Sequence, residues 1–428
     1  MLTVNLDRLM ADVEAFSAIG GDGKGGVTRL AFTPTDQSAG RLLQDKLATA
    51  GLAVRVDAVG NVFGRRGGRG NTLPPVLVGS HLDTVPNGGR FDGALGVLSA
   101  LEVARMLNDA GTETRRPLEV ACFEAEESSR FGSGTLGSKA VVGKLTPGML
   151  EALRDAEGRT LAGILRDCGL SPDRLETVRR RPGDYHAYLE LHLEQGAVLE
   201  HAGTPIGLVT GIAAPTRFRV TYKGRADHSG ATPMGLRRDA LVAGAELVLS
   251  VRCTVLTHGS PTSVGTVGVL SVQPGAMNVI PGQVSLGIDL RDIDGEAKRR
   301  IGKKVQAAAR RIARKWNVDV TVETLTEESP VPLPERIRQV SAAACQACGI
   351  PFIELPSGAG HDAMYLAEIA ETGMIFVRCR EGISHNPAEF VDPRDIAAGT
   401  AVLAETALRL ADEEAPTLAP RPPCGPFV

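Results

Sequence analysis

Residues 79–96, "GSHLDTVPNGGRFDGALG", set one His and two Asp between two apolar segments. Upstream, Val76, Leu77 and Val78 form the continuous apolar run of a parallel strand covered on both faces, and Gly79 closes it. Downstream, Ala94 to Leu107 is apolar nearly all round, as a buried helix is. The polar cluster therefore falls at the carboxyl end of a strand and the amino end of a helix, where open α/β sheets build their ligand sites. His81 and Asp83 are two apart, so in an extended segment they point to one side. Asp83 can then hold the far ring nitrogen of His81, as carboxylates do behind metal-binding imidazoles. Taken alone, Asp92 reads equally well as the N-cap of the following helix.

The rest of the chain bounds what such a site could serve. A length of 428 residues predicts two or three domains at roughly 150 residues each. Net charge is −3 with both signs interspersed, so no footprint for nucleic acid or anionic lipid stands out. Asp7, Arg8, Asp12 and Glu14 interrupt what would be the apolar region of a leader, and no later run reads as spanning a bilayer. A cytoplasmic protein with no membrane partner is expected. Seven Cys, an odd number without an export signal, argue against a disulfide framework. Cys345 and Cys348 make a C-x-x-C on a helical pattern, but no second pair completes a zinc site. Gly21 to Gly26 spells G-x-G-x-x-G after a helix-like segment, which predicts a loop, and G-x-S-x-G does not occur.

Periodicity divides the chain. To about Gly211, helix-like patterns alternate with short apolar strands such as Pro117 to Phe123 and Tyr188 to Leu193, predicting a mixed or mostly parallel α/β sheet. The rhythm then changes to a strand at Arg217 to Lys223, a helix at Arg238 to Cys253, strands at Ser263 to Val272 and Gln283 to Arg291, a helix at Glu296 to Trp316 and a strand at Val318 to Leu325. This β-α-β-β-α-β order predicts a ferredoxin-like unit. After "SPVPLPE" the α/β pattern resumes with too few strands for a core of its own. The predicted organisation is a catalytic domain from 1–212 and 330–412, an insert at 213–329, and a disordered Pro-rich tail at 413–428.

Polar groups recur at other strand ends. Glu126 and Glu127 follow a strand-like run in "LEVACFEAEESS", and neighbours on a strand face opposite ways, so both reach one pocket only if the strand has ended. One carboxylate could then ligate a metal while the other moves a proton, with a solvated loop as the plainer alternative. His192 lies in "YLELHLEQG" opposite the leucines, and His385 follows a buried strand in "IFVRCREGISHNP". His361-Asp362 follows small residues in "LPSGAGHDA". A lone buried His is usually a core residue, but the recurrence of His, Asp and Glu at several strand ends is much harder to dismiss. On the strand 284–291, Val284, Leu286, Ile288 and Leu290 share one face and Ser285, Gly287, Asp289 and Arg291 the other, where Arg291 is either simply exposed or a carboxylate binder.

The ordered set "SHLDTVPNGGRFDG", "EAEESSRFGSGTLGSKAVVGK", "ELHLEQGAVLE", "GRADHSGATPM", "PGAMNVIPGQVSLGIDLRDI", "SGAGHDAMYLAE" and "FVRCREGISHNPAE" resembles the amidase, hydantoinase and carbamoylase branch of the dinuclear-metal aminoacylase and carboxypeptidase clan. The resemblance runs from about residue 5 to 410 and is nearest to N-carbamoyl-L-amino-acid hydrolases, with allantoate amidohydrolases and β-ureidopropionases close by. It implies an α/β fold: a mixed-sheet dinuclear-metal hydrolase domain with an inserted ferredoxin-like dimerisation and lid domain. It implies two divalent cations (zinc, manganese, cobalt or nickel), one on His81 and His192, the other on Glu127 and His385, with Asp92 bridging. Glu126 becomes the general base, with Asp83 behind His81. On the insert, Asn278 and Arg291 hold the substrate carboxylate and His228 reaches the partner subunit's site in a homodimer. Gln195 and Gly360 become pocket-wall residues. Ser128 stands where relatives often have Gly after the Glu pair. The implied reaction is hydrolysis of the ureido C–N bond of N-carbamoyl-L-amino acids to amino acid, carbon dioxide and ammonia. Allantoate or another ureido acid is the alternative small-molecule substrate, and a non-catalytic scaffold would be expected to lack a ligand.

Overall fold

The computed structural model describes residues 2–414 and divides into two compact units. The larger comprises, among the described residues, 2–208, Arg336–Ile353 and 365–414; the smaller comprises Val209–Glu335 and Glu354–Met364. Of the tail expected to be disordered, residues 415–428 lie outside the described residues.

The first strands are β1 (Ala53–Val56), β2 (Val62–Arg66), β3 (Val76–His81), β4 (Leu118–Phe123), β5 (Ala187–Leu193) and β6 (Ile206–Ile212). Next come β7 (Ala214–Lys223), β8 (Asp227–His228), β9 (Val264–Gln273), β10 (Val279–Ile280), β11 (Gln283–Asp292), β12 (Asp319–Glu327), β13 (Val331–Pro332) and β14 (Phe352–Ser357), and the last is β15 (Glu371–Val377). The helices that matter below are α1 (Ala94–Asp109), α2 (Ala240–His258), α3 (Gly295–Lys315) and α4 (Pro393–Asp412).

In the larger unit the sheet runs β1-β2-β4-β3-β5-β15-β6. β3 pairs parallel with β4 and β5, and β15 pairs parallel with β5, whereas β2 and β6 run antiparallel to their neighbours, so the sheet is mixed. Every residue of β3, β4 and β5 is buried, as the unbroken apolar run 76–78 predicts. α1 and α4 seal the core with Leu95, Leu98, Leu101, Ile396, Leu403 and Leu410 against Val76, Val78, Leu189 and Leu191. Asp392 caps α4 by accepting the Arg394 N–H, and Pro393 occupies its first turn, where no N–H partner is needed.

The smaller unit carries the β-α-β-β-α-β order read from the sequence. Its antiparallel sheet runs β12-β7-β11-β9. The alternation on β11 falls as predicted: Val284, Leu286, Ile288 and Leu290 are buried against Leu247 and Val251 of α2 and Ile301, Val305 and Ile312 of α3. β8 and β10 form a separate two-stranded ribbon with His228 opposite Val279. The helix expected at Arg238 to Cys253 starts after the Asp239 cap and extends to His258. At that length α2 is long and apolar enough to cross a membrane, contrary to the expectation that no run is. One face of it nevertheless packs on the sheet through Ala243, Leu247 and Val251.

Candidate metal centre and active site

β4, β3, β5 and β15 are parallel neighbours, so their carboxyl ends lie along one edge of the sheet, and each brings a polar residue there. His81 closes β3, His192 lies one residue before the end of β5, Glu126 and Glu127 follow β4, and His385 follows β15. The loops beyond three of these strands pass through left-handed backbone at non-glycine residues: Ala125 (φ +54°), Gln195 (φ +56°) and His385 (φ +56°). The turn at Ala125 ends the strand before the Glu pair, which is the condition under which both carboxylates can enter one pocket.

Asp92 is the hub. Its Oδ1 lies 3.2 Å from His192 Nε2 and 3.7 Å from His81 Nε2, and its Oδ2 lies 3.3 Å from His385 Nε2. His385 Nε2 is also 3.1 Å from Glu127 Oε1. Among the described residues three groups of potential ligands have their donor atoms within 4.8 Å of one another: His81–Asp92–His192 and Asp92–Glu127–His385, which share Asp92, and Glu190–His192–His361. Asp92 does not cap α1: the cap is Gly93, which makes no side-chain cap bond. Gly93 has φ +64°, and a Cβ there would stand 2.4 Å from the His81 ring. Only glycine therefore lets the helix start bring Asp92 this close.

The imidazoles are oriented from behind. His81 Nδ1 is 3.0 Å from the Asp83 carbonyl and His192 Nδ1 is 2.9 Å from the Leu193 carbonyl. A carbonyl only accepts, so each Nδ1 carries a proton and each Nε2 is left to face the carboxylates. An imidazole nitrogen set against carboxylate oxygens needs positive charge between them, which a proton supplies in the metal-free site and a divalent cation would supply on these donors. The electrostatics express the same demand. Burial opposes charge on His81, yet Asp83, Glu126 and Asp92 hold its pKa well above the usual value. Hydrogen bonds to Asp92 and Glu127 raise His385 to about 10. Burial disfavours the Asp92 carboxylate, but His192, His385 and His81 hold its pKa well below the usual range.

Asp83 differs from expectation in one respect. Its carboxylate is 3.5 Å from His81 Nδ1, and the closer acceptor is its own main-chain carbonyl. The carboxylate also accepts the N–H of Glu126 at Oδ1 (3.1 Å) and of Glu127 at Oδ2 (3.0 Å). One side chain thus fixes the backbone of both glutamates. Glu126 Oε2 lies 3.8 Å from His81 Nε2 with its side chain 12% exposed, while His385 is 47% exposed, so the cluster has an open side.

Gln195 donates from Nε2 to Asp92 Oδ2 at 2.8 Å. The other anticipated residues belong to the smaller unit. His228 Nδ1 accepts the N–H groups of Gly230 and Ala231, both at 3.1 Å, which leaves Nε2 as the proton-bearing nitrogen of an exposed ring. Asn278 lies beside it, its carbonyl accepting the Ser229 N–H. Arg291 is on the predicted open face of β11, where Nε and Nη2 meet Asp289 (3.0 and 3.3 Å) and Nη1 donates to Gly358 O (2.7 Å). Gly360 follows in the same loop. Two site residues escaped the sequence reading. Ser384 Oγ is 2.6 Å from Asp92 Oδ2, and buried Glu389 accepts the N–H groups of Phe91 and Asp92. Burial and the nearby Asp92 push the Glu389 carboxyl up to about 7. The only trace in the sequence was a Glu four residues after the strand-end His.

Residues 77–409 match the model of peptidase family M20/M25/M40. An N-carbamoyl-L-amino acid amidohydrolase of Geobacillus stearothermophilus is 46% identical over 408 residues, covering 95% of this chain and 99% of that one. A ureidoglycolate hydrolase of Arabidopsis thaliana is 38% identical over 416 residues, covering 96% and 87%. A crystal structure of an amidase of the hydantoinase/carbamoylase family from Burkholderia multivorans superposes with a TM-score of 0.92 at 38% identity, covering 97% and 100%.

Proposed function

The chain belongs to peptidase family M20/M25/M40, and from that premise we propose that it hydrolyses the ureido C–N bond of an N-carbamoyl-L-amino acid, releasing the L-amino acid, carbon dioxide and ammonia. It is an amidohydrolase. The observation that carries the reading is the pair of ligand groups sharing Asp92, with Glu126 beside them, in a chain alike over nearly its whole length to a relative named for that substrate class.

His81 and His192 would hold one divalent cation and Glu127 and His385 a second, with Asp92 between them; zinc, manganese, cobalt and nickel all suit these donors. When bound, the cations supply the positive charge that acidifies water and polarises the scissile carbonyl. Glu126 accepts the proton of the attacking water and returns it to the leaving nitrogen. Asp83 keeps that carboxylate in place through the backbone of residues 126 and 127. The Nε2–H of His228 donates to the developing oxyanion. Arg291 and Asn278 bind the substrate carboxylate, and Gln195 and Gly360 form the pocket wall. Because Asp289 occupies Nε and Nη2 of Arg291, the substrate must share or displace one of its present partners.

The decisive assay gives cation-loaded protein N-carbamoyl-L-methionine, its carboxamide, allantoate, N-carbamoyl-β-alanine and a dipeptide. N-carbamoyl-L-methionine is expected to have the highest kcat/KM, with its carboxamide far below it because a neutral amide forfeits the Arg291 ion pair. The likeness to a ureidoglycolate hydrolase favours a second reading, an enzyme for allantoate or another ureido acid, and preference for allantoate would replace the first with the second. Dipeptide cleavage alone would sink both.

We also propose a cytoplasmic homodimer in which His228 of each chain serves the metal centre of its partner. The face of α2 away from its sheet carries Leu249 and Leu256, 70% and 71% exposed, and β9 is a sheet edge bearing exposed Val269 and Leu270. Such surfaces are commonly covered by a second subunit. Homodimers of His228→Ala and of Glu126→Ala should each be nearly inactive. Random reassortment of equal amounts makes half the dimers mixed with one whole site each, so about a quarter of wild-type activity should return. Demonstrated exchange without recovery would return His228 to its own subunit.

A further inference from the structure

We infer that Glu389 is the positioning residue that locks the two ligand-bearing loops of the metal centre together, and that it does so as a hydrogen-bonding clamp in which its charge is dispensable. The inference rests on Asp92 and His385 being ligands. Glu389 is 5% exposed and almost 300 positions along the chain from Asp92. Its Oε1 accepts the main-chain N–H of Phe91 at 2.8 Å and of Asp92 at 3.1 Å. Its Oε2 lies 2.9 Å from Ser384 Oγ, and the same hydroxyl stands 2.6 Å from Asp92 Oδ2. The path Asp92 N–H, Glu389, Ser384, Asp92 Oδ2 is closed, so both the backbone and the carboxylate of Asp92 are tied to the segment that carries His385.

Packing shows how closely the parts fit. A Cβ at Gly89 would stand 2.1 Å from the Glu389 carboxyl carbon, so a side chain there could enter only by pushing this carboxyl off the N–H groups of Phe91 and Asp92. His385 needs such support more than the other imidazoles do. It is half exposed and adopts φ +56°, so its place is fixed by the backbone around it and not by enclosure. That backbone is held by Ser384 on one side and by a turn on the other, in which Glu389 N–H donates to Asn386 O and Ala388 N–H to Asn386 Oδ1. No contact of Glu389 requires a negative charge. A glutamine there can accept both N–H groups at Oε1 and donate from Nε2 to Ser384 Oγ, whose own proton goes to Asp92.

The test compares wild type, Glu389→Ala, Glu389→Gln and Ser384→Ala by zinc affinity in chelator competition, and by amide hydrogen exchange at residues 89–93 of metal-free protein. Glu389→Ala is expected to weaken zinc binding by about 10–100-fold and to speed exchange at Phe91 and Asp92. Glu389→Gln should stay near wild type in both, and Ser384→Ala should fall between. Unchanged affinity and exchange in folded Glu389→Ala would overturn the clamp, and so would a Gln variant as impaired as Ala. If Glu389→Ala does not fold, the other two decide: near-normal Gln with weakened Ser384→Ala supports the clamp, and any other result overturns it. A wild type that binds no zinc would instead defeat the metal reading, while the exchange measurement would still judge the clamp.

Discussion

Replacing Glu126 by Gln is expected to lower kcat by about 10²–10⁴-fold with little change in KM and with both cations still bound. The amide preserves the size of the side chain and removes the proton acceptor. Its position is set by the Glu126 N–H bond to Asp83, a main-chain contact that the substitution leaves alone. The carboxylate is also not a member of any of the ligand groups among the described residues. Steady-state kinetics paired with elemental analysis of the same sample make the check. Near-normal turnover at full metal content would reduce Glu126 to a bystander.

Exhaustive chelation should abolish activity altogether while leaving the far-ultraviolet circular dichroism unchanged, and adding back zinc or manganese should restore turnover. The fold is expected to survive because neither hydrophobic core depends on the cluster: Leu95, Leu101 and Leu403 seal one unit and Leu247, Ile301 and Ile312 the other. Reloading should raise the melting temperature, since a ligand at a hundred times its Kd stabilises the native state by about 2.7 kcal/mol. Full activity in protein verified to be free of metal would remove the cations from the reaction.

What the chain discloses before folding follows from how local each signal is. The switch from an apolar strand at 76–78 to a helix from Ala94 is written in neighbouring residues, and with it the location of His81 and Asp92. The inserted sheet was legible for the same reason, because alternation on 284–291 and the stripe of Ile301, Val305 and Ile312 are short-range patterns. The left-handed turn at Ala125 was not legible, since alanine has no preference for it and only the surrounding structure imposes it. Asp83 was assigned to the ring it follows by two positions, which its carboxylate faces at 3.5 Å, but its bonds to amides more than forty residues away left no trace in the sequence. Glu389 was invisible because a buried carboxylate and a solvated one are spelled alike, and only tertiary pairing with Phe91 and Asp92 distinguishes them. The reach of the apolar helix Ala240–His258 was underestimated because its expected end at Cys253 left out the last five residues, Thr254 to His258.

The three left-handed residues at Ala125, Gln195 and His385 bear on how this enzyme can be stabilised. For an L-residue that conformation costs roughly 1–2 kcal/mol, and glycine largely escapes the cost. A selection for heat resistance would therefore be drawn toward glycine at Ala125 and Gln195, where the side chain, unlike that of His385, is no ligand in the present reading. Each such gain would cost the site: glycine at 125 would loosen the joint that sets Glu126 and Glu127 against His81 and His385, and glycine at 195 would remove the amide that donates to Asp92. Thermal tolerance and catalytic alignment thus compete at the same few torsion angles, and variants that improve both must find their stability elsewhere, in the sheet and helices behind the loops.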